Sequence, residues 1–123
     1  MKTQTNARFI PLEEYPTTKN AKIIIEHTDT GLTAYSLISY ECIPAVYYNF
    51  KDYISPELTI SIRQSDLTAT TRKHIYAFIR QLIPEQAQEI INTLRKLFSS
   101  PPTFPDRFTG ELIYETNFLI YLE

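Results

Sequence analysis

The chain has 123 residues, a net charge of −2 and a hydrophobic fraction of 43%, which is one domain with enough apolar residues to bury a core unaided by disulfides or a metal. Two glycines, one cysteine and two histidines exclude a glycine-rich phosphate loop, an internal disulfide and a multi-cysteine zinc site, and leave metal binding little to work with. No apolar run approaches the roughly 18 residues of a membrane span, the polar stretch Met1–Arg8 lacks a signal-peptide core, and a free cysteine fits a reducing compartment; the expectation is a cytoplasmic protein with no membrane contact and no cofactor.

Residues 1–21, with Pro11 and Pro16, read as an irregular arm anchored by Phe9, Ile10 and Leu12. Lys22–Thr28 is β-branched and ends at the turn signal Asp29-Thr30-Gly31. Leu32–Tyr40 and Ile43–Phe50 are rich in Tyr, Ile, Val and Thr, and form either a tight hairpin or one long bent strand. Pro44 donates no ladder hydrogen bond, so it demands an edge or a bulge. In Glu57–Arg63, Leu58, Ile60 and Ile62 alternate with Thr59, Ser61 and Arg63, the pattern of a half-buried strand.

The period then lengthens. Ile75, Phe78, Ile79 and Leu82 mark one face of a helix, with Thr70 as its expected N-cap and Ile83-Pro84 as its end. Pro84 and Glu85 suit the first turn of a second helix, whose stripe is Ala87, Ile90, Ile91, Leu94, Leu97 and Phe98. Ser99-Ser100-Pro101-Pro102, then Pro105, predict a stiff loop. Leu112–Leu122 reads as a last strand with Leu112, Tyr114, Phe118, Ile120 and Leu122 on one face. Strands followed by helices predict an α+β fold: an antiparallel sheet of about four to five strands with two consecutive helices packed on one face.

Charge is unevenly spread. Residues 63–96 carry Arg63, Arg72, Lys73, Arg80, Arg95 and Lys96 against Asp66, Glu85 and Glu89, whereas residues 97–123 carry Arg107 against Asp106, Glu111, Glu115 and Glu123. Arg72, Lys73, Tyr76, Arg80, Arg95 and Lys96 are therefore candidates for nucleic-acid contact, although near-neutral net charge weighs against strong phosphate binding. Lys73, Ala77 and Arg80 fall opposite the apolar stripe. Of the nine tyrosines, Tyr35, Tyr40, Tyr47, Tyr48 and Tyr53 cluster in one stretch, and exposed tyrosine favours protein interfaces. Tyr47, Tyr48 and Tyr53 are the candidate anchors and Glu111 and Glu115 the candidate steering charges. Because successive strand residues face opposite ways, Tyr47 and Tyr48 share a core only if the strand is covered on both sides. Cys42 and His74 are the one possible thiol–imidazole pair, but no local signature supports nucleophilic catalysis. Cys42 reads as packing. His74 reads as a half-wet boundary residue bonded to backbone or carboxylate. The expectation is no enzyme.

Leu37-Ile38-Ser39-Tyr40-Glu41-Cys42-Ile43-Pro44-Ala45-Val46 and Leu67-Thr68-Ala69-Thr70-Thr71-Arg72-Lys73-His74-Ile75-Tyr76-Ala77-Phe78-Ile79 together resemble two segments of a family of small phage and mobile-element proteins, "L-x-S-Y-[ND]-T-x-V-A" and "Y-S-x-T-T-x-x-H-I-x-x-F-L". The matches fall on Ser39, Tyr40, Ala45, Thr70, Thr71, His74, Ile75 and Phe78; Cys42 stands for the usual Thr and Leu67 for Tyr. The resemblance covers roughly residues 34–82. It implies a phage, prophage or plasmid protein that binds a host macromolecule, a host protein or protein–RNA complex such as a defence nuclease. Its sharpest form is an anti-defence, anti-CRISPR-like inhibitor. The alternative expectation is a nucleic-acid-binding regulator using the basic helix face.

Overall fold

The structure, a computed structural model, describes residues 5–50, 55–102 and 104–120. Its strands are β1 (Thr5–Pro11), β2 (Ala21–Thr28), β3 (Leu32–Ser39), β4 (Cys42–Phe50), β5 (Glu57–Arg63), β6 (Phe104–Pro105) and β7 (Leu112–Leu119); its helices are α1 (Ala69–Leu82) and α2 (Ala87–Phe98). All strands pair antiparallel in one sheet of order β1-β2-β3-β4-β5-β7-β6. The α+β expectation is met, but the sheet has six full strands and a two-residue seventh, rather than four to five.

The extra strand comes from the supposed arm. Thr5–Pro11 pairs along β2 from Thr5↔Thr28 to Pro11↔Lys22. It escaped the sequence because, at the margin of the core, its bulkiest residue, Phe9, is exposed and its neighbour Arg8 is charged, so no apolar alternation marks it. Residues 12–20 then form a strap. Leu12 is fully buried, the Glu13 amide donates to Gln81 Oε1 at 2.9 Å, and Gln81 Nε2 donates to the Pro11 carbonyl at 3.3 Å. This strap lies along one flank of α1, which is why Ala77 is buried although the helical wheel alone sends it to solvent.

The hairpin alternative holds between β3 and β4. Tyr40 takes a left-handed φ of 55° at the two-residue turn Tyr40-Glu41. Leu37↔Ala45 and Ser39↔Cys42 leave one extra residue on β4, a bulge at Ile43-Pro44. That bulge is how Pro44 is accommodated in an interior strand.

β5 follows its alternation: Leu58, Ile60 and Ile62 are buried and Ser61 and Arg63 exposed. The helices run close to their predicted spans, with two shifts. The cap of α1 is Thr68, whose hydroxyl accepts from the Thr71 amide at 3.1 Å, and Pro84–Gln86 form a turn before α2 instead of its first turn. On β7, Tyr114 is buried but Leu112 is exposed, since Leu112 lies past the last β5 pair, Arg63↔Ile113, and pairs only with Pro105 of β6. Leu122 lies outside the described residues. Ile75, Phe78, Ile79, Ile90, Ile91 and Leu94 are buried against Ile23, Ile25, Leu37, Ala45, Leu58 and Ile60. The sheet thus has one face under the helices and, among the described residues, a second, bare face that no helix covers.

Phe78 is fully buried, so Phe78→Ala should cost about 3–5 kcal/mol in chemical denaturation; a loss under about 1 kcal/mol would mean that the helix stripe does not carry the core.

Candidate functional site

Three places gather chemistry-bearing side chains: a buried polar cluster under the β3–β4 turn, the outer surface of the helices, and the bare face of the sheet.

The cluster is built from the two stretches quoted for the family resemblance. Ser39, the last residue of β3, has no exposed surface, and His74 is 3% exposed. Ser39 Oγ lies 2.8 Å from His74 Nδ1 and 3.0 Å from Thr71 Oγ1, and the Thr68 hydroxyl donates to Thr71 Oγ1 at 3.3 Å. With Thr68 donating to Thr71, Thr71 is left to donate to Ser39 and Ser39 to His74, which makes Nδ1 of a neutral imidazole the final acceptor. Tyr15 meets the ring edge-on at 5.5 Å and Tyr40 lies against it at 6.0 Å. His74 is therefore buried, not half-wet, and bonds a hydroxyl rather than backbone or carboxylate. Burial holds its pKa below the ordinary histidine value.

A nucleophilic serine needs an open hydroxyl and a base oriented by a third group. Here the hydroxyl is closed off, and the groups that flank the imidazole are the Tyr15 and Tyr40 rings. The arrangement works as a lock between the hairpin and the helix. Cys42 lies beside it, half-buried, with Sγ donating to the Ser39 carbonyl at 3.1 Å; burial raises its thiol pKa. The shallow cleft outside, about 420 Å³, is lined by Tyr40, Glu41, Cys42, Arg63, Asp66 and Thr68 together with the edge of the lock. Its one cation, Arg63, is engaged by Asp66 at 2.9 Å and Glu111 at 3.2 Å. Among the described residues no group of three or more His, Cys, Asp or Glu is placed to hold a metal.

The basic candidates divide. Arg80 is taken up by the strap, its Nε and Nη2 reaching the Glu14 carboxylate at 2.7 and 2.8 Å; the Arg80 hydrogen bond holds the Glu14 pKa down. The Arg95 guanidinium stands 5.6 Å over the Tyr76 ring, and Arg72 acts on the same tyrosine. Arg72, Lys73, Arg95 and Lys96 are exposed and form no ion pair among the described residues.

The tyrosines divide by strand parity. Tyr47 pairs with Tyr35 and Leu58 on the helix-covered face, 7% exposed, its ring 5.8 Å from that of Tyr35; burial raises its pKa. It is core, and this corrects its expected role as an anchor. Tyr48 points the other way, half-buried and stacked on Phe50 at 6.5 Å. Its neighbours across the strands are Ala34 and Glu57. The adjoining row on the same face is Phe9, Ile24, Ser36, Val46, Thr59 and Asn117. Phe9, expected to anchor the arm, is instead 61% exposed on this face, because it is a strand residue that points away from the helices; Ile24 is an apolar contributor that the sequence did not single out. Glu115, opposite Ser61, is exposed on this face and unpaired among the described residues. Glu111, before β7, is committed to Arg63. Tyr53 lies outside the described residues. No helix among the described residues is long and apolar enough to cross a membrane.

Comparison of the chain with protein-family models, with curated proteins and with solved structures finds no match.

The lock predicts acid sensitivity. Because the folded state holds the His74 pKa below its unfolded value, the unfolded chain binds the extra proton, and the stabilisation is complete above the unfolded value of about 6.5 and declines as pH falls beneath it. Urea titrations between about pH 7.5 and 5 should show falling stability, and His74→Gln should remove most of that slope; an unchanged slope in the variant would assign it to other groups.

Proposed function

We propose that this chain is a non-catalytic binding protein that docks on a host macromolecule through the bare face of its sheet. The observation that carries the reading is the stack of Tyr48 on Phe50 beside Val46, Ile24 and Phe9 on a face that no helix covers. Apolar and aromatic groups at the centre with a polar rim are the composition of a protein interface. The rim carries Glu26, Glu57 and Glu115 against Lys22 and against Arg63, which Asp66 and Glu111 already engage, so its excess charge is negative. Such a rim repels nucleic acid and suits a basic protein surface, including one that itself holds RNA or DNA. The resemblance to phage and mobile-element proteins supports a host partner. In its sharpest form the reading is an anti-defence inhibitor, of the anti-CRISPR kind, that covers the nucleic-acid groove of a nuclease.

A second reading rests on Arg72, Tyr76 and Arg95, which converge on the outer helix surface with Lys73 and Lys96 nearby. It makes the protein a nucleic-acid-binding regulator. Arg95 already covers one side of the Tyr76 ring, which leaves less of it for base stacking, and four free cations neutralise few phosphates.

The two readings separate in one set of variants. Affinity capture from a host lysate, with and without nuclease treatment, should lose its captured protein at least tenfold with Tyr48→Ala/Glu115→Lys and retain it with Arg72→Ala/Arg95→Ala. The reverse order, together with a shift of free duplex DNA near physiological salt, would replace the first reading by the second.

A further inference from the structure

We infer that β1 is a self-pairing edge and that two copies of this chain join there into one continuous sheet. β1 is the terminal strand of the sheet, paired only with β2. Among the described residues no hydrogen bond reaches the outward side of Thr5–Ile10, so this edge presents a row of open backbone donors and acceptors. Edge strands are usually blunted by a proline, a bulge or several charges. The proline of β1, Pro11, is its last residue and would face Ala7 only at the two ends of a pairing centred on Phe9; the pairing of β1 with β2 runs without a register shift, and its one charge is Arg8. Phe9 stands 61% exposed on it, held against the Lys22 ammonium at 4.7 Å.

An antiparallel strand can be its own complement, which makes a second copy the natural occupant. Pairing centred on Phe9 sets Phe9 against Phe9 of the second copy and Arg8 against Ile10, so the two arginines never face one another. Aromatic pairs across strands are among the favourable ones, and like charges directly opposite are unfavourable. The same register extends the apolar row Phe9–Ile24 across the two-fold axis, so the bare faces of both copies run on as one. The other edge differs: β6 covers Leu112 and Ile113, and Glu115 and Asn117 follow. Self-pairing at β1 therefore closes at two copies. A single strand pair buries little area, so the dimer belongs to the weak, reversible class.

Sedimentation velocity of the intact chain from about 5 to about 500 μM tests this. The expected result is a monomer passing to a dimer and no further. Phe9→Lys, at an exposed position, should keep the circular dichroism spectrum and melting temperature while weakening dimerisation at least tenfold. Leu119→Lys, at the far edge, should leave it unchanged. Deuterium exchange in Ala7–Ile10 should slow at the high concentration in the parent but not in Phe9→Lys. A monomer throughout would overturn the inference. So would growth beyond the dimer, which is head-to-tail pairing of β1 with β7, or a folded Phe9→Lys variant that still dimerises as the parent does.

Discussion

The fold depends on a short relay of polar groups that have no water to turn to. Ser39, Thr71 and His74 are all buried, and each left unpaired would cost about 1–3 kcal/mol. They satisfy one another instead, across 32 and 35 residues of chain. Hydrophobic burial is non-directional and would let α1 slide or rotate over the sheet. Hydrogen bonds of 2.8 and 3.0 Å permit one placement. The first two turns of α1 are therefore pinned to the β3–β4 turn, and the N-cap at Thr68 is the outer end of the same chain of hydroxyls.

That placement decides what the rest of the surface looks like. With α1 fixed, Tyr15 and the strap close over its flank, and Glu14 takes Arg80. An ion pair this exposed contributes roughly 0–1 kcal/mol; the burial of Leu12 holds the strap more firmly. The opposite flank receives α2, bringing Arg95 over Tyr76. Both helices thus occupy one side of the sheet, and nothing among the described residues covers the other. The bare face is a consequence of the layering.

Much of this was legible in the residues. The clean alternation of Glu57–Arg63 and the stripes of the two helices follow from periodicity, because burial on one side imprints its period directly. Pro44, through the donor it lacks, announced an edge or a bulge, and the pairing of β3 with β4 makes it a bulge. β1 was hidden because Phe9 is exposed and Arg8 charged, and β6 because two residues carry no period. Parity said that Tyr47 and Tyr48 part company but not which goes inward; the register with Tyr35 and Leu58, set by strands far away in sequence, decides that. The lock was half visible. Both stretches of the family resemblance contain its members, yet only the turn at Tyr40 and the packing of α1 bring Ser39 to His74. Arg80 and Ala77 misled for one shared reason, since a helical wheel has no knowledge of a strap arriving from residues 12–15.

The central claim is that hairpin and helix are held in register by a coupled hydroxyl–imidazole pair and not by two independent packing contacts. A double-mutant cycle with Ser39→Ala, His74→Phe and the combined variant, read by urea denaturation at neutral pH, measures that coupling directly. The account predicts that the two changes are strongly non-additive, with an interaction energy of about 1–3 kcal/mol. Losses that add to within about 0.5 kcal/mol would contradict it, and would return the orientation of α1 to apolar packing alone.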